Sequence, residues 1–399
     1  DTYIIIGLDS DGNPSPNIGN AGGSKHIEAA DSYFDGKGVA YIMFTSGSTG
    51  APKGVPILHC SIMPMLESLR GRIVIHSNDR VSQFTNLTFD VSVAELFLCW
   101  SSGACVCPPT LSERFDPMTF VDRNGVTVWS SVPTLAEIVR ARAKVSKFDA
   151  STLRISMFAG EAMSLSLAKF WEELAPNSEI YNLYGPTEAA VYATIYKFDG
   201  QDVHVPDPLP LGEPLETVKT LELREDGIDV SELLLAGPQV FSGYLGPLSD
   251  SRKEFYTEDS STESWYKTGD LVSHSQSYGL LFHGRRDRQI KLRGFRVEMQ
   301  EIESAIRATA KIRAAVVPLF GENGGAVDLV AFMADGNLTE AEIRRHCQAR
   351  LPDYMIPRYF WWIPDLPLNA NGKTDYKALE AKAAQIASSP SPRQGKINE

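Results

Sequence analysis

A short apolar run, Val39–Phe44 (VAYIMF), leads directly into glycines and hydroxyls: Thr45-Ser-Gly-Ser-Thr-Gly-Ala-Pro-Lys-Gly54. β-Branched and aromatic residues followed at once by glycines read as a buried strand ending in a tight loop. Glycines let the backbone adopt dihedrals closed to other residues and approach a ligand closely. The hydroxyls of Thr45, Ser46, Ser48 and Thr49, with Lys53, suit phosphate oxygens, so the loop has the chemistry of a phosphate cradle. It is not the G-x-x-x-x-G-K-[ST] pattern, because Gly54 follows Lys53. A Gly/Ser/Thr loop is by itself more often a linker turn, so the rest of the chain has to decide.

The 399 residues, 43% of them hydrophobic, are enough to build more than one domain. A formal net charge of −12 argues against a nucleic-acid partner, which needs a basic face. No apolar run reaches membrane-spanning length, and the first residues lack a charged-then-apolar leader layout, so no membrane association is expected. The five cysteines, at 60, 99, 105, 107 and 347, are odd in number and scattered, which gives no disulfide framework. Cys105-Val-Cys107 has no second pair or nearby His and reads as strand rather than as a metal site. Reduced thiols fit a cytoplasmic protein.

Strand-like runs at Val126–Ser130, Leu153–Phe158 and Leu233–Ala236 alternate with helical patterns such as Ser164–Leu174, where apolar residues recur every three or four positions. That alternation predicts an α/β fold with a parallel sheet. The texture changes at Gly284–Gly294 (GRRDRQIKLRG), which reads as a dense basic turn. An amphipathic helix, two strands, a second helix and a Pro-rich connection follow, forming a separate α+β domain of about a hundred residues. The expected organisation is a large N-terminal domain of layered sheets and helices (1–286), a small C-terminal domain (287–385) and a Ser/Pro-rich tail or linker (386–399).

Further motifs follow the loop in fixed order: FAGEA (Phe158–Ala162), NLYGPTE (Asn182–Glu188), YKTGD (Tyr266–Asp270), GRRDRQIKLRGFRVE (Gly284–Glu298) and NANGK (Asn369–Lys373). Together with the loop they resemble the adenylate-forming superfamily of acyl-CoA synthetases, luciferases and nonribosomal-peptide adenylation domains. The resemblance runs from Val39 to about Ala381. It implies that Thr45, Ser46, Gly47, Ser48, Thr49, Gly50 and Lys53 hold the ATP phosphates. Gly160, Glu161 and Ala162 would line the adenine and ribose region, Asn182 and Tyr184 would bond and stack on adenine, and Thr187 would meet the α-phosphate. Glu188 would help hold Mg²⁺, and Asp270, beside Arg285, would accept the ribose hydroxyls.

The chemistry of these residue types agrees, since a carboxylate is a good diol acceptor and an aromatic ring offers a stacking surface. Lys373 is the expected catalytic residue: a point-like cation bridging the acid carboxylate and the phosphoryl oxygen lowers the barrier where two anions meet. Asp287 matches the family's hinge, about which the small domain turns between adenylation and thiol transfer. Lys291 belongs to the face that serves transfer.

Phe89-Asp90-Val91-Ser92-Val93 resembles the amino-acid-activating branch of the family, where an Asp at this position pairs with the substrate ammonium. The alternative reading makes Asp90 a helix N-cap. The family's pocket pattern falls on Asp90, Val91, Ala94, Ser130, Met157, Ala159, Leu183, Val191, Tyr192 and Lys373. Most are apolar, which points to a small or medium apolar amino or imino acid, proline-like or alanine-like, with a β-amino acid still open. VTVWSSVPT, MFAGEAMS and YNLYGPTEA resemble stand-alone ligases such as D-alanine–carrier protein ligase, making a carrier-protein phosphopantetheine the expected acceptor. The competing readings are an acyl- or aryl-CoA synthetase using coenzyme A, an inactive nucleotide-binding relative, and a luciferase-like oxygenase. In one respect the chain departs from the pattern: only about forty residues precede the loop, so it is expected to start inside the large domain.

Overall fold

The computed structural model describes residues 36–45, 53–143, 150–224, 230–245, 254–257, 262–308, 312–321, 325–334, 338–369 and 374–387. From Gly38 onward the chain forms one compact unit. Its largest sheet has seven strands, in the spatial order Cys105–Cys107, Arg80–Ser82, Val128–Ser131, Ile155–Ala159, Glu179–Tyr184, Thr194–Lys197 and Glu213–Pro214. The first five run parallel, and the last two pairings, on either side of Thr194–Lys197, are antiparallel. Every residue of Ile155–Ala159 is buried, as a central parallel strand covered on both faces requires. The predicted helix appears at Leu165–Leu174, opened by Ser164, whose hydroxyl accepts from the Leu167 amide at 3.2 Å, and it buries Leu167, Ala168 and Trp171.

A second sheet is antiparallel and contains Lys219–Arg224, Ser231–Ala236, Trp265–Ser275, Phe255–Tyr256 and Gly279–Arg285. A third collects Gln289–Leu292, Phe295–Glu298, Arg313–Phe320, Ala326–Ala334 and Tyr359–Trp362, with the helices Met299–Arg307, Glu340–Gln348 and Tyr376–Ala387 following in the same stretch of chain. The apolar cores sort the same way. Two clusters draw their buried residues from Val55 to Leu280, and two others from Leu292 to Ile386.

Two expectations need correction. Gly284–Gly294 is not turn throughout: Gln289–Leu292 is a strand paired with Phe295–Glu298, and the turn narrows to Arg293 and Gly294, at φ 53° and 84°. Two left-handed residues in a two-residue loop match the twist of the flanking strands. Density of charge hid the strand, because cross-strand partners Lys291 and Arg296 turn their charges into a cavity rather than to water. The closing helix also reaches Ala387, two residues into the expected tail; 388–399 lie outside the described residues.

Candidate active site

Ligands in parallel α/β sheets collect beyond the carboxyl ends of the strands. Here Ile155–Ala159 runs out into Gly160 and Glu179–Tyr184 into Gly185, Pro186 and Thr187, all but Glu179 to Leu183 and Ile155 to Phe158 facing a cavity of about 1070 Å³. The second sheet supplies Asp270 and Arg285, cross-strand partners in register. Arg285 donates to Asp270 at 2.5 Å, and the Tyr184 hydroxyl donates to the other Asp270 oxygen at 2.5 Å. Burial, then the Asp270 charge, lifts the Tyr184 phenol well above its ordinary range, so it stays a donor. Arg285 also holds Asp287 at 2.7 and 2.9 Å. Burial works against the guanidinium charge, and Asp270 with Asp287 more than offsets it. The predicted ribose acceptor and the predicted hinge residue thus share one arginine.

Asp90, Val91, Ala159, Val191 and Tyr192 line the same cavity, whereas Ala94, Ser130, Met157 and Leu183 are buried behind its wall. Asp90 precedes the helix Val91–Ser101 in a helical conformation, and its side chain makes no capping hydrogen bond. Burial raises its carboxyl above the ordinary range; Glu188 adds to this, while a hydrogen bond from Thr187 and the charge of Lys291 oppose it. Val191 sits at φ 79°, an outlier for a β-branched residue of the kind found at ligand sites.

Glu95 was not anticipated from the sequence, because a lone Glu inside an apolar helix carries no local signal. It is 2% exposed and accepts from Thr85 at 2.8 Å and Gln83 at 3.3 Å. Burial pushes its carboxyl up to about 7, against those hydrogen bonds and one from Ser130.

The opposite wall comes from the Gln289–Glu298 hairpin, through Lys291, Arg293, Gly294, Phe295 and Arg296. Phe295 packs edge-on against Phe89, with ring centres 4.6 Å apart, and stacks on Tyr354 at 3.8 Å. Lys291 places its ammonium 5.6 Å from the centre of the Tyr184 ring. Burial lowers the Lys291 pKa, with Asp270 and Asp90 opposing. The Gly294 amide donates to Glu161 at 2.5 Å, and the other Glu161 oxygen accepts from Thr134 at 3.0 and 2.6 Å. A Cβ on Gly294 would lie 2.7 Å from Val132, so this close approach needs glycine.

Several sequence-predicted positions make protein contacts of their own. Glu161 anchors the hairpin, Ala162 is exposed, and the Asn182 amide donates to the Pro210 carbonyl at 2.8 Å beneath the wall. Lys53 pairs with Glu254 at 3.1 Å and lies 4.7 Å from the centre of the Tyr244 ring. It lines a smaller polar cavity of about 400 Å³ with Thr45, Arg286 and Asp287. Ser46, Gly47, Ser48, Thr49, Gly50 and Lys373 lie outside the described residues.

Glu188 is fully buried, and Arg296 contacts both its oxygens at 2.9 and 3.0 Å, while Tyr244 donates at 2.8 Å. Burial works against the Glu188 charge, but Arg296 foremost holds the carboxyl below its ordinary range. Among the described residues no group of three or more His, Cys, Asp or Glu forms a metal site. A single carboxylate is nevertheless enough for Mg²⁺, which is held largely by substrate phosphates and water. Arg296 had no individual signal in the sequence, being one cation among several in the basic stretch.

A buried Asp–Tyr–Arg cluster shares one cavity with Thr45 and Asp90, an arrangement suited to an adenylate-forming ligase. The chain belongs to the AMP-binding enzyme family: its family model matches residues 2–245, and that of the AMP-binding enzyme C-terminal domain matches 301–373. L-Proline–[L-prolyl-carrier protein] ligase of Streptomyces coelicolor is 33% identical over 366 residues, covering 88% of this chain and 68% of that protein. D-Alanine–D-alanyl carrier protein ligase of Bacillus licheniformis is 32% identical over 361 residues, covering 86% and 71%. Among solved structures, the Vibrio cholerae adenylation domain AlmE with glycyl-adenosine-5'-phosphate superposes with a TM-score of 0.81 at 31% identity, covering 88% of this chain and 68% of that one.

Proposed function

We propose that the chain activates an amino or imino acid as its aminoacyl adenylate and passes it to the phosphopantetheine thiol of a carrier protein in the cytoplasm. The observation that carries this reading is Asp90: it lines the cavity shared with Tyr184 and Asp270, and its side chain makes no capping hydrogen bond to the helix it precedes. A carboxylate partly withdrawn from water is favoured by a cation beside it, and a substrate ammonium supplies one. The relatives named for prolyl and D-alanyl carrier proteins, and the AlmE complex with a glycyl adenylate, support the same class of substrate and acceptor. The apolar wall of Val91, Ala159 and Val191 favours a small or medium apolar side chain.

In the first step a carboxylate oxygen of the acid bonds to the α-phosphorus of ATP, and the bond to the β-phosphate oxygen breaks, releasing pyrophosphate. Asp270 would hold the ribose hydroxyls, Tyr184 the adenine face and Thr187 the α-phosphate. Lys373 would stabilise the charge spread over the transition state. Glu188 would hold Mg²⁺, which when bound neutralises phosphate charge. In the second step the carrier thiolate bonds to the acyl carbon and AMP leaves. Asp287 is read as the pivot between a large domain (1–286) and a small one (287–385), and the inward hairpin with Lys291 and Gly294 as the arrangement for transfer.

The test incubates the protein with ATP, Mg²⁺ and a panel of amino acids, offering holo-carrier protein and coenzyme A in parallel. The reading expects acyl-thioester on the carrier; thioester on coenzyme A alone would transfer the chain to the acyl-CoA synthetase reading.

A further inference from the structure

We infer that Gln239, buried behind the cavity wall, sets which acid side chain the pocket accepts, by holding the backbone of Ala189–Tyr192 in a strained turn that places Val191 in that wall. The inference rests on the proposed adenylation and deepens it. Gln239 acts as a positioning residue for the substrate pocket.

Ala190 and Val191 follow the short helical turn Thr187–Ala189 and have φ of 53° and 79°. Neither is glycine, and a β-branched side chain is poorly tolerated in that region. The Tyr192 amide donates to the Ala190 carbonyl, two residues back, at 3.1 Å. That bond, with a positive φ at Val191, marks a γ-turn of the rare and strained kind. Such backbone persists only where its surroundings over-determine it.

Two contacts do so here. A Cβ on Gly185 would lie 2.4 Å from the Val191 carbonyl oxygen and 2.8 Å from the Tyr192 Cα, so the turn packs onto bare backbone. The second contact is Gln239, which is 0% exposed. Its side-chain amide donates to the Ala189 carbonyl at 2.8 Å and to the Tyr192 carbonyl at 2.6 Å, on either side of the strained pair. The Thr217 hydroxyl donates to its Oε1 at 2.5 Å, which fixes the direction of the amide. Gln239 itself sits in a turn after the Ser231–Ala236 strand, where the Val240 amide donates to the Gly237 carbonyl at 3.1 Å. The antiparallel sheet thus shapes a pocket that opens at the ends of the parallel strands.

Val191 and Tyr192 line the cavity with Val91 and Ala159. Without Gln239 two buried carbonyls lose their donor, and the turn is free to relax. Relaxation moves the Val191 side chain and changes the shape offered to the acid. In a fitted apolar pocket one methylene is worth roughly 10- to 200-fold in discrimination, so a small displacement is readable. The proposed nucleotide contacts, Asp270 with Tyr184 and Arg285, bond to one another and not to Gln239.

The test measures pyrophosphate exchange over a panel of amino acids, each with its homologue one methylene longer and its counterpart lacking nitrogen. Gln239→Leu keeps the bulk and removes both donors. It should raise KM for the best acid roughly tenfold and cut the preference over the longer homologue by about as much, with kcat and KM for ATP within about twofold. Thr217→Val, which frees the amide to turn, should shift both in the same direction by less, and it stands in if the Leu variant melts early. Unchanged KM and preference in a folded variant overturns the inference, as does an equal rise in KM for acid and for ATP. Exchange driven only by acids without nitrogen would sink the amino-acid reading, and Gln239→Leu must still change the preference among those acids. Exchange with no acid at all would remove the adenylation reading and this inference with it.

Discussion

The Tyr184 hydroxyl donates to Asp270 at 2.5 Å, tying the end of the seven-stranded sheet to the middle of the antiparallel one. With Arg285 on its other oxygen, Asp270 is a buried carboxylate already oriented for the ribose hydroxyls it is proposed to accept. Preorganisation of this kind lowers the cost of binding. Asp270→Asn removes the charge and one acceptor position. It should raise the KM for ATP by roughly 10- to 100-fold, the usual worth of hydrogen bonds to a charged group. Steady-state kinetics at saturating amino acid would check this, and an unchanged KM would remove Asp270 from the nucleotide site.

Gly294 separates the half-reactions. Its φ of 84° and its approach to Val132 both forbid a Cβ, so Gly294→Ala should keep the hairpin from seating. Loss of carrier acylation by tenfold or more is expected, with pyrophosphate exchange within a few-fold of wild type. If both rates fall in proportion, Gly294 contributes to folding rather than to transfer.

Glu95 sets a pH dependence of stability. Its carboxyl is raised from 4.5 to about 7 in the folded state. Its stabilising contribution is therefore full below about 4.5 and lost as pH rises through about 7. The loss should approach roughly 3 kcal/mol. Urea unfolding of the wild type at pH 5 and pH 8 should show that fall, and Glu95→Gln, neutral throughout, should lack it. Parallel pH profiles for the two proteins would show that Glu95 is not the titrating group.

Asp287 is exposed on one side yet held by Arg285, which also holds Asp270. Proline there fixes φ and removes the amide donor. Asp287→Pro should retain much of the pyrophosphate exchange and lose most transfer to a carrier thiol. Unchanged transfer would place the pivot elsewhere, and thermal melting would expose simple destabilisation.

The parts of the site that were legible in the sequence are those built from local chemistry. An aromatic before Gly-Pro and a carboxylate after Thr-Gly state their chemistry within a few residues, though Thr268–Asp270 lies within the strand Trp265–Ser275 rather than in a turn. Asp270, Tyr184 and Asp90 line one cavity. What was not legible depends on long-range packing. Glu161 accepts from Gly294 because the hairpin, 133 residues later, presents an amide to it. Arg296 and Glu95 act through partners that no local pattern names, and Lys53 finds Glu254 some 201 residues away. The basic stretch hid its strand for the same reason: alternation is read as strand when one face is apolar, and here the second face meets a polar cavity.

The measurement that bears most directly on the central claim is ATP–pyrophosphate exchange with paired acids that differ only in the amino group. Alanine is set against propionate and proline against cyclopentanecarboxylate, in the wild type and in Asp90→Ala. If Asp90 receives a substrate ammonium, at least one amino or imino acid drives exchange, its partner lacking nitrogen does not, and Asp90→Ala loses the difference. Equal exchange with both members of each pair, or an Asp90→Ala variant that still discriminates, would contradict amino-acid activation by this chain.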